Sequence, residues 1–69
     1  NMNNIDIRKY IINNFKNTTI EEIKASIEES IESHEDDPLI GLGVIFEILW
    51  INSSEEEKKT ILSNIKKGM

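Results

Sequence analysis

Residues 37–51 read DPLIGLGVIFEILWI, and no other segment of the chain concentrates so much apolar surface in so few positions. In the last ten of these residues only Gly43 and Glu47 are not apolar. A helix that is apolar nearly all round must be covered on most of its sides by other elements. We therefore predict an all-α fold, a small four-helix domain packed around a central apolar helix at residues 38–51.

The segments on either side show the spacing of shorter amphipathic helices, with apolar residues recurring every three or four positions. Thr18 or Thr19, each followed three residues later by a glutamate, is typical of a helix start, and so is Ser54 ahead of Glu57. Asp37 before Pro38 predicts a third start. The predicted helices cover residues 5–16, 20–33, 38–51 and 55–67. The expected core consists of Phe15, Ile23, Ile27, Ile45, Phe46, Leu49 and Leu62.

The chain has 69 residues, no cysteine and a net charge of −5. Its length predicts one helical domain over residues 1–69, with Asn1, which precedes Met2, as a remnant of tag cleavage. An acidic chain without disulfides fits a reducing cytoplasm, and its charge argues against nucleic acid and anionic membranes as partners.

No signal peptide or membrane-spanning segment is predicted. A domain this small needs tight packing, a ligand or self-association.

The sequence offers little catalytic chemistry. Without cysteine and with a single histidine, it holds no recognisable nucleophile, metal or cofactor motif, and we predict that the protein is not an enzyme. His34 lies in the acidic loop before Pro38, where a divalent cation is conceivable, but EF-hand spacing is missing and an exposed histidine is favoured. Gly41 and Gly43 lack the third glycine of a phosphate-binding loop, so they favour close helix packing or a tight helix entry.

The apolar segment also carries one candidate interface. Ile40, Gly43, Glu47 and Trp50 are spaced to share one stripe of a helix. Glu47 could mark where the helix reaches water, with Trp50 as ordinary core. Alternatively, the stripe is a contact surface anchored by Trp50, because aromatic residues dominate interface energies. The partner on this second interpretation is another copy of the chain or an unknown protein.

At residues 41–50, GLGVIFEILW, the chain resembles the small, acid-soluble spore protein I family of endospore-forming bacteria, whose hallmark reads approximately LPGLGVLFEVIW. The layout is similar along nearly the whole chain, including an Asn-rich turn, a Glu-rich second helix and the final helix. This chain differs in having Leu39-Ile40 in place of Leu-Pro, with its proline at Pro38. It also has His34 where a glycine is usual.

The resemblance implies a minor protein of the spore core, made in the forespore during sporulation, with no assigned enzymatic activity. It does not imply the DNA coating performed by the abundant spore proteins, which form a separate family. Our leading hypothesis is a non-enzymatic protein that acts through protein contacts. The alternatives are a nucleic-acid-associated spore protein and a helical adaptor unrelated to sporulation.

Overall fold

A computed structural model describes residues 6–69, which form four α-helices. These are α1 (Ile7–Phe15), α2 (Ile20–Glu32), α3 (Pro38–Ile51) and α4 (Glu55–Lys67). No β-strand occurs in this range, and the prediction of an all-α fold with four helices is confirmed. Asn1, the expected tag remnant, and the predicted helix start at residue 5 lie outside the described residues.

Helices α2 and α4 begin with the capping boxes that the sequence predicts. The Thr19 hydroxyl accepts a hydrogen bond from the Glu22 backbone N–H at 3.1 Å, and the Glu22 carboxylate accepts one from the Thr19 N–H at 2.8 Å. Ser54 and Glu57 make the same reciprocal pair at 3.1 and 2.7 Å. Each box satisfies two backbone donors that a helix start leaves without an intrahelical partner.

Asp37 is the N-cap residue of α3, as predicted, with Pro38 in the first turn. Asp37 precedes α3, but its side chain makes no capping hydrogen bond and its backbone is helical, at φ −55° and ψ −43°. A capping side chain normally reaches the first-turn amides from an extended backbone, as Thr19 does at ψ 165°. A backbone carbonyl satisfies one first-turn amide instead, because the Leu39 N–H donates to the Asp36 carbonyl at 3.0 Å, and Pro38 has no N–H to satisfy. Gly41 and Gly43 both lie inside α3, so neither delays its start.

Helices α1 and α2 both pack against α3. At the crossing with α1, a β-carbon on Gly41 would meet the Ile11 Cδ1 atom at 3.8 Å, an ordinary van der Waals distance. Around this crossing Ile11, Phe15 and Ile45 are half-buried. Of the described hydrophobic residues, only Val44 is buried, with 7% of its surface exposed.

The predicted core is therefore smaller than expected. Phe15, Ile23, Ile27 and Ile45 are half-buried, but Phe46, Leu49 and Leu62 are exposed, and their placement in a core is wrong. The reason is that only α1 and α2 pack closely against α3. Of these, α1 has nine residues against the fourteen of α3, so at about 1.5 Å per residue it covers only part of that helix. Ile20 and Ile31, the first and last apolar residues of α2, are exposed as well.

The loop between α2 and α3 contains one residue in the left-handed region. His34 has φ 55°, and its N–H donates to the Ile31 carbonyl at 3.3 Å, just after the end of α2. Glycine is the usual residue at this position after a helix, because a β-carbon costs roughly 1 kcal/mol or more in this conformation. Histidine at position 34 therefore places a β-carbon where the backbone conformation favours glycine.

We predict that His34→Gly raises the melting temperature by a few degrees. Removing the β-carbon relieves the left-handed strain, and the extra freedom of glycine in the unfolded chain offsets part of a gain of about 1 kcal/mol. Thermal melting followed by circular dichroism measures the change. His34→Ala is the control, since it removes the imidazole but keeps the β-carbon and should give no rise. An equal rise in both variants would contradict the explanation.

Candidate interaction surface

One ion pair joins α1 to α3 across a separation of 39 positions in the sequence. Arg8 donates from Nε to Glu47 Oε1 at 2.7 Å and from Nη2 to Glu47 Oε2 at 2.9 Å. Two parallel hydrogen bonds of this kind fix the relative orientation of the two groups as well as their distance. The pair therefore sets how α1 lies on α3.

The pair is accessible to water, with 69% of the Arg8 side chain and 45% of the Glu47 side chain exposed. Hydrogen bonds from Arg8 lower the pKa of the Glu47 carboxyl, a shift that partial desolvation opposes and the positive charge reinforces. In return, the hydrogen bonds and charge of Glu47 raise the pKa of Arg8. Solvent screens such a pair, so its contribution is to geometry more than to the free energy of unfolding.

Two adjoining grooves open on either side of this ion pair. The larger, of about 620 Å³, is lined by Arg8, Phe46, Glu47, Trp50, Ile51 and Leu62. The smaller, of about 370 Å³, is lined by Ile7, Arg8, Leu39, Ile40, Gly43, Val44 and Glu47. Because Arg8 and Glu47 border both, the grooves form one surface, which we call the two-groove face. Helices α1, α3 and α4 contribute to this face, and its lining includes no residue of α2.

All four residues of the predicted stripe lie on the two-groove face. Ile40 and Gly43 line the smaller groove, Trp50 lines the larger, and Glu47 borders both. Ile40 is 58% exposed, and a β-carbon built on Gly43 would meet no atom within 4 Å. The glycine therefore leaves α3 open to approach from outside, unlike Gly41, which faces α1. The role of the stripe as an interface stays a prediction.

Trp50 is half-buried and held by neighbours from two helices. Its ring stacks on Phe46 with centroids 5.9 Å apart, and the Lys58 Nζ atom of α4 lies 5.2 Å from the ring centroid. A lysine at this distance over a tryptophan makes a cation–π contact. Trp50 is thus fixed in place at one end of the two-groove face with part of its surface free.

Arg8 is the residue of the two-groove face that the sequence did not predict. Helical periodicity relates residues three or four positions apart, so it cannot join Arg8 to Glu47. A signal was nevertheless present, because Arg8 is the only arginine of the chain and Glu47 the only charged residue of α3. Arginine is the side chain best suited to a bidentate contact with a lone carboxylate.

The described residues contain no group of three or more histidine, aspartate or glutamate side chains able to hold a metal ion. His34 lies exposed in its loop. Between residues 6 and 69, no helix combines the length and apolar character needed to cross a bilayer.

The family model for small, acid-soluble spore protein I matches residues 5–69. This chain belongs to that family. A relative named small, acid-soluble spore protein I from Halalkalibacterium halodurans is 35% identical over 66 residues, which cover 96% of this chain and 97% of the relative. The protein of the same name from Geobacillus kaustophilus is 32% identical over 65 residues, 94% of each chain. That from Shouchella clausii is 34% identical over 64 residues, 93% of each.

No solved structure matches this chain. The family assignment confirms the resemblance at residues 41–50 and identifies the chain as a small, acid-soluble spore protein associated with sporulation. The two-groove face can therefore be considered as a feature of a spore protein.

We predict that the ion pair makes stability depend on pH in the acid range. The folded-state pKa of Glu47 is lowered, so its contribution is complete above the unfolded pKa, about 4.3, and is lost as pH falls through the lower folded value. Glu47→Gln should therefore lose less thermal stability than the wild type on acidification below that pH. Circular dichroism melts across the acid range measure this difference.

Arg8→Gln is the matched control, because it removes the cause of the lowered Glu47 pKa while keeping the carboxylate. The melting temperature of Arg8→Gln should therefore depend less on pH in the same acid range. The double variant should show no further reduction in this dependence. A Glu47→Gln profile parallel to that of the wild type throughout the acid range would contradict the prediction.

Proposed function

We propose that this member of the family is a non-enzymatic protein of the spore core that acts through protein contacts made by its two-groove face. One observation carries the proposal: two adjoining grooves with apolar walls and a single ion pair between them. Contiguous apolar surfaces on small folded proteins mark sites of interaction more often than free surface. Membership of a spore protein family supports the location in the spore.

The chemistry of the face supports a binding role over a catalytic one. A general base near neutral pH needs a pKa close to the working pH. The carboxylate of the face, Glu47, has a lowered pKa and both its oxygens accept hydrogen bonds from Arg8. Arg8 remains protonated at any physiological pH. Together they give a neutral, mutually satisfied pair, and the other lining side chains are apolar or, like the Trp50 indole, non-titrating.

We predict no salt-sensitive binding to duplex DNA at physiological ionic strength. Binding of this kind needs free lysines and arginines to neutralise phosphates, and the chain carries only eight against thirteen acidic residues. Four of the eight are paired with carboxylates: Arg8, Lys24, Lys58 and Lys59. Fluorescence anisotropy with labelled duplex across a salt series tests this. Sub-micromolar affinity that falls steeply with salt would favour the nucleic-acid-associated alternative instead.

The proposed function is tested by photo-crosslinking in sporulating cells. A benzophenone amino acid replaces Ile40 on the two-groove face, or Ile31 on α2, where exposure is nearly equal at 58% and 57%. We expect protein adducts in the spore core fraction from position 40 and few from position 31. Equal adducts at both positions, or adducts to nucleic acid alone, would overturn the proposal.

A further inference from the structure

The chain exposes more surface than a compact monomer of its size. Its accessible area is 6135 Å², whereas a folded monomer of 8.0 kDa is expected to expose about 4,500 Å². An allowance of about 800 Å² for the accessible area of residues 1–5 still leaves an excess of about 1,000 Å² over a correspondingly smaller protein. One side of a standard protein interface covers about 800 Å², and one side of an obligate homodimer covers more.

Few hydrophobic side chains are buried within a single copy of the chain. Val44 is the only buried hydrophobic residue in the described part of the chain. Ordering the backbone of a residue costs roughly 1–2 kcal/mol, which burial of apolar surface must offset. A partner that supplies this burial has to be available wherever the chain is made. A second copy of the chain meets that condition without any other protein.

Charge does not prevent two acidic chains from meeting on this face. The face carries one positive and one negative side chain, Arg8 and Glu47, and they are paired with each other. Helix α2, which contributes no residue to the lining, carries five acidic residues: Glu21, Glu22, Glu28, Glu29 and Glu32. The two-groove face is therefore neutral, and the acidic residues of α2 lie outside it.

We propose that the partner is a second copy of this chain, bound as a two-fold symmetric dimer in which the two α3 helices cross antiparallel through their two-groove faces. This inference rests on the proposed function and names the partner. The stripe residues lie at positions 40, 43, 47 and 50, a spacing that reads the same from either end. An antiparallel pairing centred at position 45 sets Ile40 against Trp50 of the second copy, and Gly43 against Glu47.

The stripe favours the antiparallel over the parallel arrangement. In a parallel two-fold pairing like positions meet, so two Glu47 carboxylates would face each other. In the antiparallel pairing each Glu47 faces a glycine, and the open space at Gly43 makes room for the longer side chain. The largest residue of the stripe, Trp50, then contacts the exposed Ile40 at both ends of the interface.

Sedimentation equilibrium over the micromolar range tests the dimer, with Ile40→Gln compared with Ile31→Gln. Both remove an isoleucine of nearly equal exposure, 58% and 57%, from a helix. We expect Ile40→Gln to weaken the dimer about tenfold or more, because each dimer loses two buried side chains. Ile31→Gln should dimerise like the wild type. Equal weakening by both, or a wild type that stays folded and monomeric at high micromolar concentration, would overturn the proposal.

The Gly43→Leu variant distinguishes an effect on dimer formation from an effect on the thermal stability of the monomer. Leucine should favour the interior of α3, since glycine costs about 1 kcal/mol relative to alanine there, and the side chain would enter open space. We expect the melting temperature of the wild type to rise with protein concentration. In Gly43→Leu this dependence should disappear without a lower melting temperature in dilute solution. A variant that keeps the wild-type concentration dependence would contradict the proposed contact.

The orientation is tested by disulfide formation, which is straightforward because the chain has no cysteine. Ile40→Cys and Trp50→Cys are prepared separately, mixed and oxidised, and the disulfide-linked products are identified by mass spectrometry. The antiparallel pairing predicts mixed 40–50 disulfides, because two copies of position 40 would be separated by about 15 Å along the helices, beyond the reach of a disulfide. Predominant 40–40 and 50–50 products would overturn it.

The two proposals fail in different ways. A monomeric wild type that still forms adducts with other proteins at position 40 in sporulating cells would overturn the dimer and leave the contact function standing. A dimer in solution with no selective protein adducts at that position in spores would instead overturn the proposed function.

Discussion

The structure depends on one mismatch, between a fourteen-residue helix that is apolar nearly all round and the limited part of its surface that neighbouring helices cover. Helices α1 and α2 pack on α3, and the sides they leave open carry exposed Leu39, Ile40 and Ile51. A chain of this length has little surface with which to enclose such a helix, because the fraction of surface that a protein buries on folding is smaller in smaller proteins. The two-groove face follows from this constraint.

The features that the sequence predicted well are the local ones. A capping box such as Thr19 with Glu22 is specified within four residues, and the apolar period of a helix within about two turns. Three helix starts were therefore placed correctly, and all four ends to within a residue. Asp37 occupies the N-cap position as predicted, but its helical backbone keeps its side chain from making the capping hydrogen bond.

The features that could not be predicted depend on how helices are placed. A helix that is apolar on every side gives no indication of which side its neighbours cover, so Val44 could not be separated from Phe46 or Leu49 as the buried residue. The Arg8–Glu47 contact spans 39 positions, and no periodic rule reaches that far. For the stripe, shared spacing was enough to place its residues on one face, but not to identify the arginine beside them.

The ion pair has a further consequence for what the face can bind. If the face were wholly apolar, a second helix could slide or reverse on it with little change in energy. A charged pair in the middle penalises every arrangement that brings like charges together or buries the pair without hydrogen bonds. On the proposed interface, Arg8 and Glu47 would therefore select register and direction, while the apolar walls of the grooves would supply the burial. In the proposed dimer, affinity and specificity would thus come from different residues of the face.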